Sequence, residues 1–214
     1  MPASAQIATL RQHLAARFPT AQRAPGRALA TGIPAIDEPT GGGLPLSAVT
    51  EIACRAPSCG AQLLLQQLLF LTRKERRRIA LVDSADSFDP SSCAPDSLTH
   101  LLWVRLTGTA LALQAADLLA RDANLGVVVL DLRRAPDADL RRIPAPQWYR
   151  LQRAIEPTDS ALIVFTPRPS VASAQLRLEL GQSFPPSAFN HERPSLIASL
   201  SPIVQRQRVH AAVG

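Results

Sequence analysis

Apolar positions along this chain fall into helical stripes and short continuous runs that take turns from one end to the other. Ile7, Leu10, Leu14 and Phe18 recur at helical spacing, so residues 4–18 read as an amphipathic helix that Pro19 stops. Residues 19–32, rich in Pro, Gly, Ala and Arg, read as a linker. Residues 32–45 are a turn-rich lead-in in which Gly41, Gly42 and Gly43 permit positive φ. Core strands are predicted at 48–53, 79–83, 101–104, 127–131 and 161–166. Helices are predicted at 61–73, 107–123, capped by Thr107 or Thr109, and 147–155, with arginines set between prolines over 132–146. The unbroken run Val127-Val128-Val129-Leu130 belongs to a strand covered on both faces. The fold class is therefore α/β, a mostly parallel central sheet flanked by helices. After Thr166 the period drops to two over 174–180, and residues 196–200 are expected as the antiparallel partner of that strand, a C-terminal β extension. The chain divides into an N-terminal helix and linker (1–30), a core domain (31–202) and a basic tail (203–214) expected to be flexible.

One stretch organises these elements. Residues 49–65 run from an apolar strand through a small-residue turn into an apolar helix, the layout of a phosphate-binding loop. A working loop has the spacing G-x-x-x-x-G-K-[ST], so that backbone N–H groups cradle phosphates while Lys and a hydroxyl complete the site. Here Arg55 stands at the first glycine position, Ser58 within the turn, Gly60 at the second glycine, and Ala61 and Gln62 where Lys and the hydroxyl belong. The layout is present without its chemistry.

Composition changes this picture in one respect. The hydrophobic fraction of 46% and charged fraction of 19% are those of a globular chain. Net charge is +6, carried almost wholly by arginine, since Lys74 is the sole lysine. Such a surface favours polyanions; an Ala-, Leu- and Arg-rich chain from a GC-rich genome would look the same. The candidate contacts to DNA or a protein partner are Arg76, Arg77, Arg78, Arg133, Arg134, Arg141, Arg142, Arg206 and Arg208. No apolar run approaches ~20 residues and the N-terminal residues lack signal-peptide order, so no membrane partner and a cytoplasmic location are expected. Cys54, Cys59 and Cys93 lack the paired spacing of zinc sites and read as small packing residues. The four histidines are scattered, and Asp83, Asp86 and Asp89 read as solvated turn chemistry, so no metal site and no catalytic group are assigned. Trp103 and Trp148 read as packing residues.

In this order and spacing the pieces resemble the RecA-like recombinase fold. Thr31-Gly32-Ile33-Pro34-Ala35-Ile36-Asp37, Gly42-Gly43-Leu44-Pro45 and Thr50-Glu51-Ile52 look like the lead-in to the recombinase ATP loop. Residues 81–90 look like the segment carrying the catalytic Glu, whose place Ala85 takes, with Asp86 adjacent but directed elsewhere. Residues 127–131 look like the Walker B strand, ending in Asp131. The segment between Thr166 and Ala174 is short where recombinases carry long DNA-binding loops. Without Lys, hydroxyl and Glu, the groups that position and neutralise a transferred phosphoryl are missing, so the resemblance implies no ATP hydrolysis and no cofactor.

Among RecA relatives with lost ATP sites, the chain is similar to the ImuA family, on its N-terminal helix, its Gly-Leu-Pro lead-in and Leu101-Leu102-Trp103-Val104-Arg105. That resemblance implies an accessory factor in DNA-damage-induced (SOS) mutagenesis and translesion synthesis. Its implied partners are an ImuB-like polymerase relative, an error-prone replicative-type polymerase and RecA. Two other readings stand beside it: a RecA-fold ATPase with a non-standard loop in which Arg55 replaces Lys, and a SulA-type cell-division inhibitor.

Overall fold

Valine, leucine and isoleucine runs of five to seven residues cannot expose either face to water, and here both faces are covered. The computed structural model describes residues 27–207. A two-strand ribbon of β1 (Ala28–Leu29) and β2 (Leu44–Pro45) encloses helix α1 (Pro34–Thr40). Then follow β3 (Ala48–Cys54), α2 (Ala61–Lys74), β4 (Arg78–Asp83) and β5 (Leu101–Arg105). The chain continues through α3 (Thr109–Leu119), β6 (Leu125–Asp131), α4 (Asp137–Arg142), α5 (Ala145–Ile155) and β7 (Ala161–Thr166). It closes with β8 (Leu176–Leu180), α6 (Arg193–Ala198) and β9 (Ile203–Gln207). The main sheet runs β5-β4-β6-β7-β3-β8-β9, parallel throughout except for the antiparallel pair β8–β9.

Strand alternation sorts the core into two halves. Ile79, Leu81, Val127, Val129, Ile163 and Phe165 point to one face, where α2 lays down Leu64, Leu65, Leu68 and Leu69. Ala80, Val82, Val128, Leu130, Leu162 and Val164 point to the other, under α3 and α5 with Ala112, Ala116, Trp148 and Leu151. Each fully buried Leu or Ile contributes on the order of 1.5–3 kcal/mol, so these two layers dominate stability.

Six of the seven predicted strands, β3 to β8, stand within a residue or two of their observed bounds, and four expectations are corrected. Residues 34–40 form a helix, not a lead-in of turns alone, because Asp37 turns back to accept N–H bonds from Thr31 and Gly32 at 2.9 and 2.8 Å. Residues 137–142 also form a helix, with Asp137 and Asp139 at its N-terminus and Arg141 and Arg142 at its C-terminus, matching the helix dipole. Gly108, not a threonine, is the N-cap of α3, which ends at Leu119. Residues 196–200 are not the partner of β8: Arg193–Ala198 is helical, and the antiparallel partner is β9, at residues expected in the flexible tail. The helix expected at 4–18, and Arg208, lie outside the described residues.

Among the described residues, no helix is long and apolar enough to cross a membrane. Gly43 shows why the lead-in needs glycine. Its φ is +123°, and a Cβ there would lie 2.1 Å from the Leu29 carbonyl oxygen in the facing strand.

Candidate functional site: a closed phosphate-loop cleft

Parallel topology places the C-terminal ends of β3, β6 and β7 side by side, and the turn from Cys54 to Gly60 sits over them. The turn is tight: Ser58 has φ 51° and Gly60 φ 87°, both left-handed. Gly60 caps the 14-residue α2, whose first turn holds no acidic residue and receives no side-chain cap. Ala61 is buried at 4% exposure and offers no charge. Gln62 follows it, with a buried Nε2 that has no hydrogen-bond partner.

Beneath the turn lies Asp131, at 2% exposure the terminal residue of β6. Its carboxylate is fully engaged by the chain's own Arg133. The Arg133 backbone N–H donates to Oδ1 at 3.0 Å, Nε donates to both oxygens at 2.9 and 3.0 Å, and a second guanidinium nitrogen reaches Oδ2 at 2.5 Å. The guanidinium also stacks 5.3 Å from the Phe165 ring centroid. Burial disfavours its charge, but Asp131 outweighs burial and holds the group above the ordinary arginine range. Both carboxylate oxygens are thus engaged by Arg133.

The turn is covered from outside by the segment joining β8 to β9. Phe184 N–H donates to the Ser58 carbonyl at 3.0 Å and Ser183 Oγ to the Pro57 carbonyl at 2.9 Å. A Cβ on Gly60 would lie 2.4 Å from Leu200 Cδ2 and 2.9 Å from Phe184 Cε2, so those side chains rest against the loop. What remains is a cleft of about 910 Å³ lined by Arg55, Arg133, Arg134 and Arg193, with no carboxylate among its described lining residues. Its arginines suit an anion, and His191 also lines it.

The other expected residues scatter. Arg55 stays at the cleft rim, exposed and 4.0 Å from Glu179, but the rest do not gather there. Arg76, Arg77 and Arg78 sit at the N-terminal end of β4, the opposite end of the parallel sheet from the cleft. There Arg76 has φ 56°, and the N–H groups of Arg76 and Arg77 bond the Arg73 and Thr72 carbonyls at 3.1 and 2.8 Å, a left-handed helix stop. Arg77 also pairs with Glu75 at 3.1 Å. On α4, Arg141 and Arg142 pair loosely with Asp137 and Asp139 at 3.8 Å. Arg206 faces Arg177 across β8–β9. The eight described arginines of that set therefore do not form one stripe: Arg133 and Arg134 meet at the cleft, and Arg133 is spent on Asp131.

In the segment expected to carry a catalytic Glu, Asp83 accepts N–H bonds from Ser87 and Phe88 at 3.0 and 2.9 Å. Asp86, at φ 50°, turns outward to a bidentate pair with Arg105 at 2.7 and 2.5 Å. Trp148 is core, and Trp103 packs edge-on to Phe88 at 5.3 Å under Arg105.

Sequence reasoning overlooked four contributors. Phe184 and Arg193 line the cleft and Leu200 rests on Gly60; all three lie far along the chain in a Pro-rich stretch with no periodicity, so nothing local marks them. Glu51 is also decisive. It is fully buried, and its Oε1 accepts from Thr166 Oγ1 and from the Ser170 and Val171 N–H groups at 2.9, 2.6 and 3.0 Å. It thereby pins the short β7–β8 connection to the sheet. A Glu inside an apolar strand was the available signal.

No family model and no curated protein matches the chain. Among solved structures it is similar to the crystal structure of the RadB recombinase. The TM-score is 0.56 at 16% identity, over 71% of this chain and 82% of that one. The fold is RecA-like. At this identity the likeness speaks for architecture alone.

Proposed function

We propose that this chain is a non-catalytic RecA-fold accessory protein of the ImuA type, serving DNA-damage-induced mutagenesis as an adaptor between polymerase components. The observation that carries the non-catalytic half is the Arg133–Asp131 closure under a turn that ends in Ala61 and Gln62. The carboxylate that a nucleotide-bound Mg²⁺ would need is neutralised from within, and no side chain of the turn replaces the missing Lys and hydroxyl. Retention of a full RecA-like sheet without that chemistry favours selection for surfaces. The adaptor half rests on the family resemblance: the partners are an ImuB-like polymerase relative, an error-prone replicative-type polymerase and RecA, with DNA contacted through exposed arginines such as Arg134.

Two measurements on the full chain separate these halves. Incubation with ATP and Mg²⁺ is expected to give no turnover and no rise in melting temperature. Turnover would overturn the non-catalytic half, and stabilisation approaching the ~2.7 kcal/mol of a ligand at 100 times its Kd would show that the turn still holds nucleotide. Co-purification with the ImuB-like polymerase relative is expected. Its absence, with a tubulin-like division protein retained instead, would replace the adaptor reading with the SulA-type one.

A further inference from the structure

Helix α2 ends in Arg73 and Lys74, and cations in a last helical turn are ordinary partners of the helix dipole. The residue one turn before Lys74 is less ordinary. Phe70 is 54% exposed, alone among the large apolar side chains of that helix. It stands where two hollows meet. One, of about 410 Å³, lies between α2 and α6 and is walled by Phe70, Cys93, Pro194, Ile197 and Ala198, with the exposed Arg193 beside them. The other, of about 600 Å³, follows α2 to its C-terminal end and is lined by Arg73, Lys74 and Arg76. Phe70, Ala94 and Ser97 belong to both, so the two form one groove, apolar at one end and cationic at the other. Its described lining shares only Gln66 and Arg193 with the cleft under the phosphate-loop turn. Asp96 is the sole carboxylate among those lining residues, and Arg73 takes it at 3.1 and 2.8 Å. Lys74 and Arg76 are exposed and, among the described residues, hold no ion pair. An exposed apolar patch with such a rim marks an interaction surface.

We infer that this groove docks an acidic segment of a partner protein, anchored by one large apolar side chain. Charge complementarity selects that occupant. Residues 1–26 and 208–214 contain no Asp or Glu and carry Arg11, Arg17, Arg23 and Arg208, so the chain's own ends are repelled by the cationic half. A nucleic-acid backbone would meet the cationic half but leave the aliphatic walls of Pro194, Ile197 and Ala198 unmatched. An acidic peptide with an apolar anchor satisfies both halves. The anchor enters between Phe70 and Ile197, and the carboxylates that follow it meet Lys74 and Arg76. Lys74 lies four residues beyond Phe70, about 6 Å along the helix, which an extended peptide spans in about two residues. The first carboxylate therefore falls about two positions after the anchor, and Arg193 receives one on the anchor's other side. Burial of the anchor supplies affinity that salt does not screen, while the charges steer encounter. The inference deepens the adaptor reading and rests on it for the partner being a protein; peptide binding and co-purification with the polymerase relative can each fail without the other.

The test uses the full chain and a short fluorescein-labelled peptide in which one Phe stands between runs of Asp and Glu, followed by fluorescence anisotropy. Saturable binding is expected at about 50 mM salt, weakening toward about 200 mM without vanishing. The double variant Lys74→Glu with Arg76→Glu is expected to weaken it roughly tenfold or more. Phe70→Ala, and separately an Ala in place of the peptide's Phe, are each expected to cost roughly tenfold. Arg134→Glu, in the cleft, is expected to leave binding unchanged. A peptide carrying benzoylphenylalanine as its anchor gives a readout on the unmodified chain: its photocrosslink is expected on the fragment holding Phe70 or the one holding Ile197. Absence of saturable binding, indifference to the charge reversal, or a crosslink elsewhere would overturn the proposal. So would an oligothymidine of equal charge that binds as tightly and displaces the peptide, or a dimer of the unmodified chain that the charge reversal dissolves, which would give the groove to DNA or to a second copy.

Discussion

Glu51 and Arg177 meet at 2.5 Å across the adjacent strands β3 and β8, the carboxylate fully buried and the guanidinium 17% exposed. The pair does more than join two strands. Through its second oxygen Glu51 also holds the Ser170 and Val171 N–H groups, and Arg177 donates to the Val171 carbonyl at 2.9 Å. Removing the cation strands a buried charge, which costs on the order of 3–5 kcal/mol. Arg177→Met is expected to lose that much in urea unfolding at unchanged m. Glu51→Gln, which still offers a carbonyl to both N–H groups, is expected to lose less. Equal stability of Arg177→Met and the unmodified chain would show that the pair carries no net structure.

Gly60 reports on the cover. Alanine there must adopt φ +87° and push against Leu200 and Phe184. The two effects together are expected to cost roughly 2–4 kcal/mol. Combining Gly60→Ala with Leu200→Ala opens space for the methyl, so the double variant is expected to be about 1 kcal/mol or more better than the sum of the singles. Strict additivity in thermal or urea unfolding would mean that the segment ending at Leu200 does not rest on the turn.

Asp117 carries a pH signature. Burial raises its pKa, but hydrogen bonds from Arg150 and then Arg121, at 2.7 and 3.0 Å, outweigh burial and hold it below the usual carboxylate range. A depressed folded pKa means that the contribution is present above the unfolded value of about 3.9 and is lost as pH falls through the folded value. The stability gap between the unmodified chain and Arg150→Ala is therefore expected to be constant near neutrality and to shrink below about pH 4. A gap that persists unchanged into stronger acid would assign the loss to packing.

Arg76 separates structural from binding roles. It occupies the left-handed helix stop that glycine prefers, at φ 56°. Arg76→Gly is expected to raise stability by roughly 0.5–1 kcal/mol, the relieved strain exceeding the added freedom of the unfolded chain. If the same variant also weakens DNA binding with a reduced salt slope, Arg76 is a phosphate contact. Lower stability instead would rule out the strain argument.

The pattern of apolar runs by itself determined the parallel strands β3 to β8, the helices α2, α3 and α5 and the α/β class, because strands buried on both faces must be apolar throughout and helices must show a stripe. The emptied loop was legible in the same way, since Ala61 and Gln62 lack the required groups whatever surrounds them. Only the tertiary structure decided what those losses leave behind. The Arg133–Asp131 closure is two residues apart in sequence, yet its meaning depends on the turn lying above it. The contacts of Phe184 and Leu200 with Gly60 span more than a hundred residues, and no local period encodes them. The β8 partner went to residues 203–207 because Arg193-Pro194 opens a helical turn before the chain returns to the sheet edge. Periodicity records which face of an element is buried. Which distant segment buries it is a matter of chain path, and that path left a covered, arginine-lined cleft where the layout of a phosphate loop remains.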